Sequence, residues 1–188
     1  PLGNGYPPCV EGAFPVLVAG GYGVAPFSFF AIRSLIKGAV FIGAKTSIDL
    51  LCITDFEKLG WEVCTSTEDG SQGHYGIITE ALDFWLEKHQ VVECISQIKV
   101  SGCTYELEFY SCGPDGLLRA IGDRAAIRKC RSWISLDRPM GCGIGACLTC
   151  VQKIRESNGG VTWARCCCDG PIFEGKSIVW DEHDVSST

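Results

Sequence analysis

The stretch Phe14-Pro15-Val16-Leu17-Val18-Ala19-Gly20-Gly21-Tyr22-Gly23-Val24-Ala25-Pro26 decides the fold. Its first six residues are an uninterrupted apolar run of strand length, its glycines form a turn, and Pro26 suits the first turn of a helix reaching to about Ile36. A strand apolar on both faces must be covered on both, as in a parallel sheet wrapped by helices. The alternation continues downstream. Residues 39–44 read as a second all-apolar strand, and Ser47 can cap a helix to Leu59 that Gly60 ends. Residues 61–65 form a third strand, 77–88 a helix, and 105–111 a strand running into Cys112-Gly113-Pro114 and another helix. The segment 91–102 alternates apolar and polar residues without deciding its type. Strands alternating with helices predict an α/β fold with helices on both faces of a parallel sheet, where ligands bind beyond the carboxyl ends of the strands. The glycine loop lies at such an end.

Length and composition bound the rest. With 188 residues the chain holds one domain, or one plus a small appendage. Hydrophobic residues at 46% and charged ones at 20% exclude a disordered tail or a fibre. Sixteen basic against 22 acidic residues give a net charge of −6 with no basic run, so nucleic acid is not an expected partner. The uncharged segment 14–32 is long enough to span a bilayer, but Pro15, Gly20, Gly21, Gly23 and Pro26 interrupt it. It reads instead as a buried strand, a turn and a buried helix, and no membrane contact is expected. From about Ala125 the texture changes: 131–136 is a short strand, then glycines and cysteines dominate, with no long helical period after Val161. This predicts two domains, 1–124 and 125–188. The turn-rich opening 1–8, without a start methionine, reads as a linker left by a cut.

Thirteen cysteines, an odd number crowded toward the C-terminus without a signal peptide, point to a reducing cytosol and a metal or cluster site. Cys142, Cys147 and Cys150, with one of Cys166, Cys167 or Cys168, spell the C-x4-C-x2-C spacing of plant-type 2Fe-2S ligation. Gly141, Gly143 and Gly145 give that loop the freedom to turn thiolates inward. A structural zinc site would show paired C-x2-C knuckles, and only one is present. Gly20-Gly21-Tyr22-Gly23 departs from G-x-G-x-x-G; by itself it is either a tight turn or a loop whose N–H groups approach a pyrophosphate. His74, His89 and His183 form no H-E-x-x-H or triad pattern, which leaves them surface or capping roles.

Met140-Gly141-Cys142-Gly143-Ile144-Gly145-Ala146-Cys147-Leu148-Thr149-Cys150-Val151 and Cys167-Cys168-Asp169-Gly170-Pro171-Ile172-Phe173 resemble the cluster segment of the electron-transfer subunit family of type B dihydroorotate dehydrogenase. Gly3-Asn4-Gly5, the loop 20–26, Gly43-Ala44-Lys45-Thr46, Asp69-Gly70-Ser71 and Cys112-Gly113-Pro114 match its landmarks in order. The resemblance implies a ferredoxin-reductase-type NAD-binding domain followed by a small cysteine-rich 2Fe-2S domain. It selects Cys167 as fourth ligand beside Cys142, Cys147 and Cys150. Nucleotide contacts would fall to Gly20, Gly21, Gly23, Gly113 and Pro114, and Cys112 would stand beside the nicotinamide as the candidate catalytic residue. Glu68 and Asp69 would lie near the adenosine ribose and favour NAD(H) over NADP(H), with Lys45 pulling the other way. The implied activity is electron transfer between NAD(H) and an FMN-containing dihydroorotate dehydrogenase catalytic subunit, through FAD and a 2Fe-2S cluster, in cytoplasmic pyrimidine biosynthesis and within a hetero-oligomer. The family's N-terminal FAD barrel has no counterpart here, so this chain is expected to be a fragment or second half of a longer subunit, with FAD mainly on the preceding domain. Two other readings stand beside it: the small subunit of another NADH-dependent ferredoxin or oxygenase reductase, and a cluster-bearing module without catalysis.

Overall fold

The computed structural model describes residues 3–91, 94 and 96–180; Pro1, Leu2, three residues of the undecided 91–102 segment and residues 181–188, with His183, lie outside them. The apolar run forms β1 (Ala13–Gly20), followed by a 3-10 turn (Gly21–Val24) and α1 (Ala25–Arg33). Next come β2 (Ala39–Ala44), α2 (Ile53–Lys58), β3 (Glu62–Thr67), the two-residue β4 (His74–Tyr75) and α3 (Ile78–Lys88). A hairpin of β5 (Gln97–Val100) and β6 (Cys103–Cys112) leads to α4 (Asp115–Ile127) and β7 (Arg131–Ser135). The C-terminal part contributes β8 (Val151–Arg155), β9 (Val161–Arg165) and β10 (Ile172–Glu174).

Among the described residues, the main sheet has the order β10-β7-β6-β1-β2-β3-β4, with β5 paired to β6 and a separate β8–β9 hairpin. Strands β1, β2, β3, β4, β6 and β7 run parallel, whereas β5 and β10 are antiparallel to their partners. Successive β1 side chains feed opposite faces. Phe14, Val16 and Val18 pack with Phe41, Phe109 and the α3–α4 residues Leu82, Trp85, Leu86 and Ile121. Leu17 and Ala19 pack with Phe27, Phe30, Ile42, Phe56, Trp61 and Tyr110 under α1 and α2. Each large side chain removed from water in this way contributes roughly 1.5–3 kcal/mol. The Asp83–Arg124 pair, at 2.6 and 2.8 Å, ties α3 to α4. Helices cover both faces, as the continuous apolar strands require.

Several expectations need correction. The helix expected from Ser47 to Leu59 is broken: a 3-10 turn spans Ser47–Asp49, and α2 begins only after Cys52, whose φ is +62°. Leu50, Leu51, Cys52 and Ile53 all pack on the α1–α2 core, and four consecutive residues cannot share one face of a helix. Helix α1 stops three residues short of Ile36, because the Lys37 ammonium donates to the carbonyls of Ala31 and Ser34 at 2.8 and 2.7 Å. The undecided segment contains β5, turned into β6 by Ser101-Gly102 with both φ positive, a type I′ pattern. Most consequential, the boundary at 124/125 falls inside α4. Strand β7 pairs with β6, and β10 adds beyond it, so the sheet continues into the cysteine-rich region. No helix among the described residues is long and apolar enough to cross a membrane, the uncharged segment 14–32 being divided among β1, the turn and α1.

Candidate functional site

The sheet's connections run outward in opposite directions from β1 and β6, so their carboxyl ends flank a topological switch point. A cleft of about 1380 Å³ opens there. Gly20, Gly21 and Gly23 line one wall, Cys112, Gly113 and Pro114 the next, and Lys45 and Glu68 stand farther out at the ends of β2 and β3. At its other end the cleft reaches Met140, Cys166, Cys167 and Pro171. One opening therefore joins the glycine loop to the cysteine loops.

The two walls meet backbone to backbone. A Cβ on Gly23 would overlap the Cys112 carbonyl oxygen and come within 2.9 Å of the Gly113 nitrogen, and one on Gly20 would come within 2.8 Å of Pro114 Cδ. Glycine here serves close approach rather than unusual dihedrals. Burial raises the Cys112 thiol, Asp137 adds to this, and Ser135 opposes it through a hydrogen bond. Cys112 thus faces the cleft as a neutral thiol at ordinary pH. Glu68 and Asp69 divide their work: Glu68 faces the cleft, whereas the Asp69 carboxylate accepts from the Ser71 hydroxyl and N–H at 2.6 and 3.0 Å. Those bonds hold Asp69 below the usual carboxylate range and commit it to the turn. The Ser71 hydroxyl oxygen in turn accepts from the Ser47 N–H at 2.8 Å, stitching that turn to the residues after Lys45.

The cysteines gather in two pairs. In the 141–147 loop the Cys147 N–H donates to Cys142 Sγ at 3.4 Å. Bonds from the N–H groups of Cys147, Ile144 and Ala146 bring the Cys142 thiol down to about 6. Gly143 and Gly145, at φ +68° and +80°, make this N–H cradle possible. Cys150 is buried and hydrogen-bonded to Cys167; hydrogen bonding between them lowers Cys150 and raises Cys167 to about 12. Cys168 Sγ lies 3.7 Å from Cys167 Sγ and against Gly145. Cys166 and Cys167 both belong to the apolar cluster of Leu118, Ile134 and Phe173, and burial pushes the Cys166 thiol to about 11. Among the described residues no three His, Cys, Asp or Glu side chains close on a single ion-sized point. A binuclear cluster takes four thiolates over two irons, so two thiol pairs fit it better than a tetrahedral zinc ion. All thirteen cysteines are described and free.

In the metal-free chain, alkylation of Cys142 is expected to climb through about pH 6, while Cys166 stays unreactive until about pH 11. Mass spectrometry after a pH series of brief iodoacetamide pulses reads both. Cys142 reactivity appearing only near the ordinary thiol range would mean the N–H cradle does not form.

Four contributors escaped sequence reasoning because their partners are distant in sequence. Arg138 bonds Asp115 at 2.8 Å and Gln152 at 2.9 and 3.2 Å, bridging the cleft wall and β8. Arg165 bonds the Gly145 carbonyl at 2.8 Å and Asp169 at 3.3 Å, joining the 141–147 loop to the turn bearing Cys167. Asn4 braces residues 169–172, and the Tyr6 hydroxyl donates to the Ser111 carbonyl at 2.7 Å. Only Asn4 carried a sequence signal, as the centre of Gly3-Asn4-Gly5. Of the histidines, His74 meets Glu80 at 3.3 Å and His89 bonds its own helix at Trp85, and neither is among the residues lining the cleft.

Comparison with known proteins agrees with this geometry. Residues 137–179 match the family described as the iron-sulfur cluster binding domain of dihydroorotate dehydrogenase B. The chain is 32% identical over 180 residues to the electron transfer subunit of dihydroorotate dehydrogenase B (NAD(+)) of Caldanaerobacter subterraneus subsp. tengcongensis, covering 96% of this chain and 64% of that one. It is 34% identical over 184 residues to the same subunit of Bacillus cereus strain Q1, covering 95% and 63%. The chain thus spans a little under two thirds of the length of these relatives. Among solved structures, that of an NADH-dependent reduced ferredoxin-NADP oxidoreductase, described in connection with flavin-based electron bifurcation, aligns at a TM-score of 0.71 and 26% identity over 97% of this chain and 59% of that one. The fold is therefore that of a ferredoxin-reductase-like parallel sheet, and the cysteine-rich segment it carries matches an iron-sulfur cluster binding family.

Proposed function

We propose that this chain, a relative of the electron-transfer subunits of dihydroorotate dehydrogenase B, passes electrons between NAD(H) and a dihydroorotate-oxidising FMN subunit through FAD and a 2Fe-2S cluster. The observation that carries this reading is the single cleft lined at one end by Gly20, Gly21, Gly23 and Gly113 and at the other by Cys167. The 2Fe-2S group supplies one-electron transfer, and the nicotinamide supplies two electrons as hydride.

In this reading the residues act as follows. Cys142 and Cys147 form one thiolate pair and Cys150 and Cys167 the other. The peptide N–H groups around Cys142 favour the deprotonated form that iron requires. The glycine loop and the first turn of α4 offer N–H groups to a pyrophosphate at the switch point. Cys112, a neutral thiol, bounds the nicotinamide without charging it. Glu68 accepts from ribose hydroxyls and repels a 2′-phosphate, favouring NAD(H); Asp69, drawn into its own turn, shapes that loop. No residue of this chain is assigned to hold FAD. The free thiols accord with a cytoplasmic setting, and the partner subunit implies a hetero-oligomer.

The purified chain is expected to carry about two irons and two sulfides with a rhombic electron-spin signal on reduction. Joined to a flavin-binding domain and combined with the FMN subunit, it should reduce NAD+ with dihydroorotate, and NADP+ far less well. A chain free of iron, or a flavin-loaded assembly that couples to no dihydroorotate oxidation, would overturn the reading. The ferredoxin-NADP oxidoreductase likeness favours a second reading, a subunit of another NADH-dependent ferredoxin reductase. Reduced ferredoxin in place of dihydroorotate in the same assay separates the two.

A further inference from the structure

The motif Gly3-Asn4-Gly5 is used by neither the nucleotide cleft nor the thiol pairs, yet it holds them together. The turn carrying Cys167 is closed on itself, since the N–H groups of Cys168, Asp169 and Gly170 all donate to the Arg165 carbonyl, at 3.1, 2.8 and 3.3 Å. Such a unit moves as one body, and its placement depends on what grips it from outside. Arg165 holds it to the Gly145 carbonyl and the Leu136 N–H holds the Pro171 carbonyl, and Asn4 adds four further hydrogen bonds. Its Oδ1 accepts from the Ile172 N–H at 3.0 Å, its Nδ2 donates to the carbonyls of Asp169 and Ile172 at 3.2 Å each, and its own N–H donates to the Gly170 carbonyl at 2.6 Å. Gly3, at φ +74°, lies so close that a Cβ there would overlap the Gly170 carbonyl oxygen. Two residues on, Tyr6 anchors the same strap: its hydroxyl donates to the Ser111 carbonyl, and its ring packs among Phe27, Phe30 and Tyr110 at centroid distances of 5.3–6.3 Å. Ser111 immediately precedes Cys112.

From this geometry we propose that Asn4 is a positioning residue for the cluster, the strap 3–6 fixing the Cys167 turn relative to the Cys112 wall of the cleft. This rests on the iron-sulfur reading above. An amide is the side chain the site calls for, because one acceptor and two donor hydrogens face one N–H and two carbonyls at once. A carboxylate would keep the acceptor but turn negative charge on both carbonyls, and alanine would leave all three groups to water. Residues holding metal ligands from outside typically change metal affinity by roughly 10–100-fold when removed, and Asn4 is expected to fall in that range.

The test is the rate at which a chelator strips iron from the anaerobically purified full chain, followed by cluster absorption, together with the electron-spin signal of the reduced protein. Asn4→Ala and Asn4→Asp should each release iron roughly 10–100-fold faster and broaden the signal. Tyr6→Phe, which removes one strap bond and keeps the ring, should accelerate release by a smaller factor and serves if the Asn4 variants do not accumulate. Asp83→Asn, weakening the distant α3–α4 pair, should lower the melting temperature without hastening iron release. Release from Asn4→Ala at the unmodified rate, or equal acceleration by Asp83→Asn, would overturn the inference while leaving the cluster reading intact. An unmodified chain that binds no iron would remove both.

Discussion

Serine at position 167 is expected to strip the chain of its iron, whereas serine at 166 or 168 should leave the cluster in place. Iron-sulfur clusters need soft thiolate ligands, and a hydroxyl in that position loses most of the affinity. Three adjacent thiols make the assignment a question of direction. Cys167 is hydrogen-bonded to Cys150, the buried member of the C-x2-C pair, and that bond distinguishes it from Cys166, which lines the same cleft. Cys166 lies 4% exposed among Leu118, Ile134 and Phe173, so serine there should lower stability by roughly 1–3 kcal/mol, the cost of an unpaired buried hydroxyl, while iron content holds. Cys168 is the demanding control, because its sulfur sits only 3.7 Å from that of Cys167. Iron analysis and electron-spin spectra of the three variants read the result. Full iron in Cys167→Ser, with loss in either neighbour, would reassign the fourth ligand.

How much of this was legible in the sequence depends on the range of the interactions involved. The central strands β1 and β2 were plain because burial on both faces writes an unbroken apolar run. The cysteine spacing was equally plain, since a loop presenting three thiolates leaves a local signature. The break at Leu50-Leu51 was not, because helical capping at Ser47 and Gly60 is local while the packing of four successive residues on one core is not. The misplaced boundary at 124/125 has the same origin. The change in composition is real, but β7 and β10 are recruited to the sheet by pairing with β6 and with each other, which composition does not record. Asn4 and Arg165 act across 165–168 and 20 residues, and neither has a pattern around it that names its partner. Glu68 and Asp69 read as an equivalent pair until the hydroxyl of Ser71 told them apart.

Alanine at Gly23 is expected to weaken NADH binding at least tenfold while the iron-sulfur signature survives. The added methyl group is itself the obstacle: it would overlap the carbonyl of Cys112 and press on the Gly113 nitrogen, so the β1 loop must withdraw from the β6 loop. Those loops form adjoining walls at the switch point, and parting them moves the N–H groups of the glycine turn away from a pyrophosphate. Overpacking of this kind destabilises by roughly 1–3 kcal/mol, which a domain of this size normally survives. The cluster loops make their own bonds through Arg165 and Asn4 and share no atom with the clash, so cluster absorption reports that the chain has folded. Alanine at Gly21 is the comparison. Its φ of +54° is strained for alanine, at a cost of roughly 1–2 kcal/mol, but the space around it is open and the walls stay together. Calorimetric titration with NADH should therefore weaken at least tenfold for Gly23→Ala and only modestly for Gly21→Ala. Equal affinity in Gly23→Ala and the unmodified chain would mean that NADH does not bind where β1 and β6 diverge, and the cleft would need another ligand.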